Sequence, residues 1–171
     1  MIVLANLNRM EIFKYLICLK IILINVPTFG QSMMAEHFES ENFDCAIFPK
    51  EYADFIDEKR FTPTRSEIEL AEEALRSDLK KINRKLVNQD GTKYNPIIHQ
   101  NLKKYKRQYF GYLDEDGNRI LLINAFWRED KSSNNWLGER VLVFDGGSYY
   151  WNIKYNIDKH KLFGLQVNGN A

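Results

Sequence analysis

An amphipathic helix followed by a run of hairpins constrains this chain more than any other feature. Thr64-Arg-Ser-Glu67 is a capping box, in which the Thr64 hydroxyl accepts from the Glu67 amide and the Glu67 carboxylate reaches back. Pro63, just before it, blocks extension upstream. Ile68, Ala71, Leu75, Leu79, Ile82 and Leu86 then recur at steps of three and four, which predicts one apolar face. Glu67, Glu69, Glu72 and Glu73 crowd the start and Lys80, Lys81, Arg84 and Lys85 the end, as the helix dipole favours. Asn88-Gln-Asp-Gly91 terminates it. Burying each large member of the stripe contributes roughly 1.5–3 kcal/mol before entropy is counted. Such a helix needs an apolar sheet to lie on.

The sheet is predicted downstream. Gln108 to Leu113 reads as a strand, and Asp114-Glu-Asp-Gly117-Asn118 as a hairpin loop in which Gly117 supplies a positive φ. Arg119 to Trp127 is apolar on both sides (Ile120-Leu-Leu-Ile123), so it reads as a central strand covered on both faces. Arg128 to Gly138 is a long polar loop holding Trp136. Glu139 to Phe144, Tyr149 to Ile157 and Leu162 to Val167 read as three further strands, with Asp145-Gly-Gly-Ser148 and Asn156 to His160 as turns. Short links make neighbours antiparallel. Asn95-Pro96 opens a short second helix carrying Ile98, Leu102 and Tyr105. The predicted class is therefore α+β: one long amphipathic helix on a bent antiparallel sheet of four to five strands.

The first 31 residues read as an export signal. Arg9 and Lys14 make a basic start, Leu16 to Ile24 is an apolar stretch interrupted by Lys20, and Pro27 and Thr28-Phe29-Gly30 precede a cleavage point. Met10 is an alternative start, and an uncleaved apolar N-terminus is the competing reading. The apolar stretch is too short for a permanent span. Residues 32–61 are predicted to be a loosely ordered leader, with Cys45 to Phe48 a short strand and Glu51 to Ile56 a helical turn. Residues 62–171 are predicted to be a single domain. The whole chain carries a net charge of +1, and removing the signal takes three basic residues against one acidic. Neither balance draws the chain to nucleic acid or acidic lipid.

Helix first and antiparallel meander after, from Thr64 to Ala171, resembles the layout of cystatin-like and NTF2-like domains. Tyr105-Lys-Arg-Gln-Tyr-Phe-Gly111, Val143-Phe-Asp-Gly-Gly-Ser-Tyr-Tyr-Trp151 and Val167-Asn-Gly-Asn-Ala171 resemble a group of small exported bacterial proteins with no assigned activity. The resemblance implies fold and export, not chemistry. The cystatin inhibitors insert a Gln-x-Val-x-Gly hairpin and a Pro-Trp loop into a protease cleft. Here Gln166-Val-Asn-Gly169 has the wrong spacing and no Pro-Trp pair occurs, so that inhibition is not expected.

Little in the sequence points to catalysis. Cys45 is the one cysteine outside the signal, so neither an internal disulfide nor a cysteine zinc site follows. His37, His99 and His160 share no spacing with acids. Asp114-Glu-Asp-Gly-Asn118 fails as a calcium loop, because the twelfth position falls on Ile123. Ser148 lacks the strand-turn-helix setting of an exposed nucleophile. No metal and no cofactor are expected. Lys103, Lys104, Lys106 and Arg107, beside Tyr105 and Tyr109, offer an anion or nucleic-acid contact, but the near-zero net charge and the export signal favour a solvated helix end and an edge strand. Trp127, Tyr149, Trp151 and Tyr155 read first as core.

A sharper hypothesis is a cone between helix and sheet, lined by Tyr109, Trp127, Asp145 and Trp151 with Arg107 as polar anchor. The leading functional expectation is a non-catalytic exported binding domain for an unknown protein or small molecule, monomeric or homodimeric, with no nucleic acid. A small NTF2-like pocket enzyme and a toxin-immunity or other neutralising module, contacting its partner through Trp136, are the alternatives.

Overall fold

The computed structural model describes residues 34–52, 59–129 and 134–169. Residues 1–31 lie outside that range, as does most of the helical turn expected at Glu51 to Ile56. Among the described residues the chain is α+β, with one α-helix and a seven-stranded, mostly antiparallel sheet. In chain order the elements are β1 (Glu36–Glu39), β2 (Asp44–Ile47), β3 (Arg60–Phe61), α1 (Arg65–Ile82), β4 (Tyr105–Leu113), β5 (Arg119–Trp127), β6 (Tyr150–Asn156) and β7 (Lys161–Val167). The spatial order is β1-β2-β4-β5-β6-β7, with β3 also on β4.

Helix α1 begins as its capping box dictates. Thr64 Oγ1 accepts from the Glu67 amide at 3.4 Å, and the Thr64 amide donates to Glu67 Oε2 at 2.9 Å. Ile68, Ala71, Leu75 and Leu79 are fully buried on the sheet. The stripe ends earlier than its periodicity predicts. Asn83 caps the helix, and Leu86 lies past the end at φ 46°, partly exposed. Asn83 turns its amide inward to Gln89, which stops the helix before Leu86 can join the face.

The expected leader is part of the sheet. Every residue of β2 is buried, and β2 pairs with β4 in parallel, Cys45 beside Arg107 and Ile47 beside Tyr109. β1 pairs antiparallel with β2, and β3 pairs antiparallel with β4 beyond the end of β2. β3 lies so close to β4 that a Cβ on Gly111 would come within 2.6 Å of the Phe61 carbonyl oxygen. β4 is therefore an interior strand, not the edge its lysines suggest. The short second helix is instead two 3-10 turns, Ile98–Gln100 and Leu102–Lys104, and Tyr105 already belongs to β4.

β5 is covered on both faces, as its double apolarity predicts. Leu121, Ile123 and Ala125 join Trp151, Ile153 and Tyr155 beneath α1. Ile120, Leu122 and Phe126 join Phe48, Phe110 and Trp136 on the other face. That second face is closed by residues 134–143. Glu139 to Phe144 is not a strand, because β6 takes the free edge of β5 directly. The segment is held instead by two side-chain amides opposite each other on β4 and β5. Gln108 Nε2 donates to the carbonyls of Trp136 and Glu139, both at 2.7 Å, and Gln108 Oε1 accepts from the Val141 amide at 2.8 Å. Asn124 Nδ2 donates to the Val141 carbonyl at 2.8 Å. Backbone groups that would otherwise be buried unpaired are satisfied without a ladder.

On β7 the alternation changes phase at a bulge. The register slips between Asn152 and Lys154, where Gly164 takes φ 65°. Leu162 consequently faces the core on one side of the bulge, and Leu165 and Val167 pack against it on the other.

Candidate functional site

Tyr105, Arg107 and Tyr109 alternate on the face of β4 that lies under α1, as strand periodicity requires. A guanidinium in that row would be costly to bury alone. Glu72 answers it from the helix. It lies four residues after Ile68 and three before Leu75, on the inward face. Arg107 is 0% and Glu72 1% exposed at the side chain, and Arg107 Nε lies 3.3 Å from Glu72 Oε1. Tyr109 donates its hydroxyl to the same carboxylate oxygen at 2.7 Å. Arg107 also donates through Nη2 to the Leu102 carbonyl at 2.8 Å, which ties β4 to the connector before it. Its Nε is close enough for an ion pair but is not aligned for a hydrogen bond.

The triad perturbs its neighbours. Burial pushes the Tyr109 phenol well above its ordinary range, and the Glu72 charge adds to the effect. The Cys45 thiol, opposite Arg107 in the ladder, is raised by burial first and by Glu72 second. A thiol so placed is inert.

Glu72 and Arg107 lie at a recess of about 350 Å³. Arg76 of α1 borders it, with Asn42 from the β1–β2 turn and His99, Leu102, Lys103 and Lys104 from the connector. The volume falls within the usual range for small-ligand pockets.

The protonation of His99 follows from a chain of hydrogen bonds that starts at a backbone amide. The Ile98 amide donates to Gln89 Oε1 at 2.9 Å, which fixes the Gln89 side chain. Asn83 and Gln89 then exchange two amide hydrogen bonds, both 2.7 Å, so Asn83 turns its nitrogen toward Gln89 Oε1. The same Asn83 nitrogen lies 3.2 Å from His99 Nδ1. Nδ1 must accept, so the ring proton sits on Nε2. Burial, with Lys80 adding to it, holds His99 below its ordinary pKa of 6.5 and keeps it neutral.

The residues singled out in the sequence separate. Arg107 and Tyr109 come together, with Glu72 between them. Trp127 and Trp151 do not reach the recess. They flank Tyr105 at ring-centroid distances of 5.1 and 5.5 Å, and Trp127 stacks on Tyr149. These aromatics form core, and the recess is bordered by polar and charged residues whose apolar stems make most of its surface. Asp145 is exposed and lies outside the lining, its carbonyl accepting from Asn168. Trp136 is 8% exposed, packed edge-on to His37 and Phe126 on the opposite face of the sheet.

Sequence reasoning missed Glu72 and His99, and preferred solvated surface to an anion contact for Lys103 and Lys104. The spacing of Glu72 from Ile68 and Leu75 could have found it. For His99 no local signal exists. Among the described residues no three His, Cys, Asp or Glu side chains converge as metal ligands, and no helix is long and apolar enough to cross a membrane.

Comparison of the chain with family models, with curated proteins and with solved structures gives no match.

Proposed function

We propose that this protein is an exported, non-catalytic binding domain of cystatin-like or NTF2-like layout, holding a small ligand in the recess between α1 and β4. The layout is supported by a helix laid against the antiparallel meander β4 to β7. The parallel strand β2, which precedes the helix, is an addition to it. Export is supported by the charge and apolar pattern of residues 1–31.

The observation that carries the binding reading is the state of Glu72 and His99 in the recess. Glu72, the only carboxylate among the described lining residues, is already engaged by Tyr109 and Arg107. His99 has its basic nitrogen occupied by Asn83. A general base needs a free lone pair within reach of substrate. In the recess Glu72 Oε1 and His99 Nδ1 are both committed to internal partners and no nucleophile stands beside them among the described lining residues, which favours binding over the pocket-enzyme alternative.

Native mass spectrometry of the full chain purified from its own envelope tests this. Wild type should carry a small bound mass that Leu102→Trp, with an unchanged circular dichroism spectrum, does not. A wild-type chain that carries nothing, and binds nothing saturably from a small-molecule panel, would remove the reading.

A second reading, a protein-neutralising module, is favoured by one observation. Phe144 is 94% and Leu142 49% exposed in the segment that follows Trp136. The contact would then be Phe144 and not the buried Trp136. Equal recovery of an envelope partner by wild type and Phe144→Asp would exclude it.

A further inference from the structure

The charge of the recess identifies a class of ligand. Four cationic side chains border it, Arg76, Lys103, Lys104 and Arg107, against the single carboxylate of Glu72. Each has a distinct position. Arg107 is completely buried, and its Nε–H makes no hydrogen bond. Arg76 pairs at the rim with Glu73 at 2.6 Å. Lys104 Nζ lies 5.5 Å from the centre of the Trp127 ring, and Lys103 is exposed. His99 adds a neutral Nε2–H donor, because its Nδ1 is taken by Asn83.

Four cationic side chains around one carboxylate, whose Oε1 is held by Tyr109 and Arg107, disfavour a cation. A neutral ligand would gain nothing from that positive charge. An anionic oxygen answers it, since charge-assisted hydrogen bonds are shorter and roughly twice as strong as neutral ones. The recess is concave and small, whereas the chain as a whole is close to neutral. Its positive potential is therefore local, and it suits a compact anion better than a polyanion.

We infer that this recess takes a small oxyanion, a carboxylate or phosphate group on a compact polar body, received by His99 Nε2–H, Lys103 and Lys104 at the mouth, with Arg107 a buried positive charge behind them. This deepens the small-ligand reading above and rests on it. The Glu72–Arg107 pair is then the rigid floor. It prevents the anion from pulling Arg107 out of place, because Glu72, Leu102 and β4 hold that side chain from three directions.

Isothermal titration of the full chain at low salt tests the inference with three probes: citrate, inorganic phosphate and the neutral trimethyl ester of citrate. One equivalent of citrate or phosphate should bind, and which of the two binds tells carboxylate from phosphate recognition. Lys103→Ala/Lys104→Ala should weaken that binding roughly tenfold, the scale of two partly exposed ion pairs. His99→Ala should weaken it further, and added salt should weaken it in wild type. Both lysines are exposed, so the double variant keeps the fold.

Trimethyl citrate binding as well as citrate would overturn the oxyanion class while leaving the small-ligand reading intact. Anion affinity unchanged in both variants would place the anion elsewhere and overturn the inference. Absence of any anion binding by a chain that nonetheless carries a bound mass would overturn it too.

Discussion

Arg107 Nε lies 3.3 Å from Glu72 Oε1, and both side chains are withdrawn from solvent between the helix and the sheet. The pair joins α1 to β4 at the recess, and Tyr109 completes it. Cys45 and Ile47 of β2 and Leu75 of α1 surround it with apolar surface. A single ion pair in that setting contributes geometry more than net stability, because desolvation offsets most of its Coulomb gain.

Removing one partner should therefore be severe. Glu72→Ala leaves an uncompensated guanidinium and should cost about 3–5 kcal/mol in urea denaturation. The double variant Glu72→Leu/Arg107→Met should cost much less than either single change, since no buried charge remains. Equal losses in the single and double variants would mean that the pair is not coupled.

The amide of Gln108 should hold the segment that covers the outer face. Gln108→Leu keeps the volume but orphans the Trp136 and Glu139 carbonyls and the Val141 amide. Each buried group left unpaired costs about 1–3 kcal/mol. Hydrogen exchange at Val141 should accelerate in this variant while β5 and β6 stay protected. Unchanged protection at Val141 would show that the segment is held by Trp136 packing alone.

His99 should make the fold acid-sensitive. Its pKa is lowered in the folded state, so below its ordinary value of 6.5 the unfolded chain binds the proton more readily than the folded one. Stability is complete above that value and falls as pH drops through it toward the lower folded value. Thermal midpoints from pH 8 to 5 should fall more steeply in wild type than in His99→Gln. Parallel curves would show that His99 titrates normally. An imidazole nitrogen spectrum should show the proton on Nε2 at neutral pH.

Much of the scaffold was legible because its causes are local. The capping box of α1 closes within four residues, and both of its hydrogen bonds form. The turn at Asp114 is equally local, with Asp114 Oδ1 accepting from the Asn118 amide at 2.8 Å and Gly117 at φ 80°. β5 disclosed its central position because two apolar faces need two covers. The failures share the opposite character. β2 is four residues long, and its parallel pairing to β4 comes from a distant segment. Glu139 to Phe144 has the pattern of a strand but finds no free edge, since β6 already occupies it. Leu86 keeps the period of the helix stripe, yet Asn83 is drawn to Gln89 and His99 and ends the helix first.

The amino-acid sequence by itself determined a long amphipathic helix, its starting residue, the hairpins of β4–β5 and β6–β7, and the need for an apolar layer beneath the helix. Those follow from hydrogen bonds and side-chain periods spanning a few residues. Only the tertiary structure decided the site. Glu72 reads as one of several acids near a helix N-terminus until β4 is laid against it. His99 reads as an isolated imidazole until Asn83 and Gln89 orient it. The physical reason is that a buried charge is tolerated only where a partner from another element satisfies it. That partnership depends on which strand the helix covers and in which register.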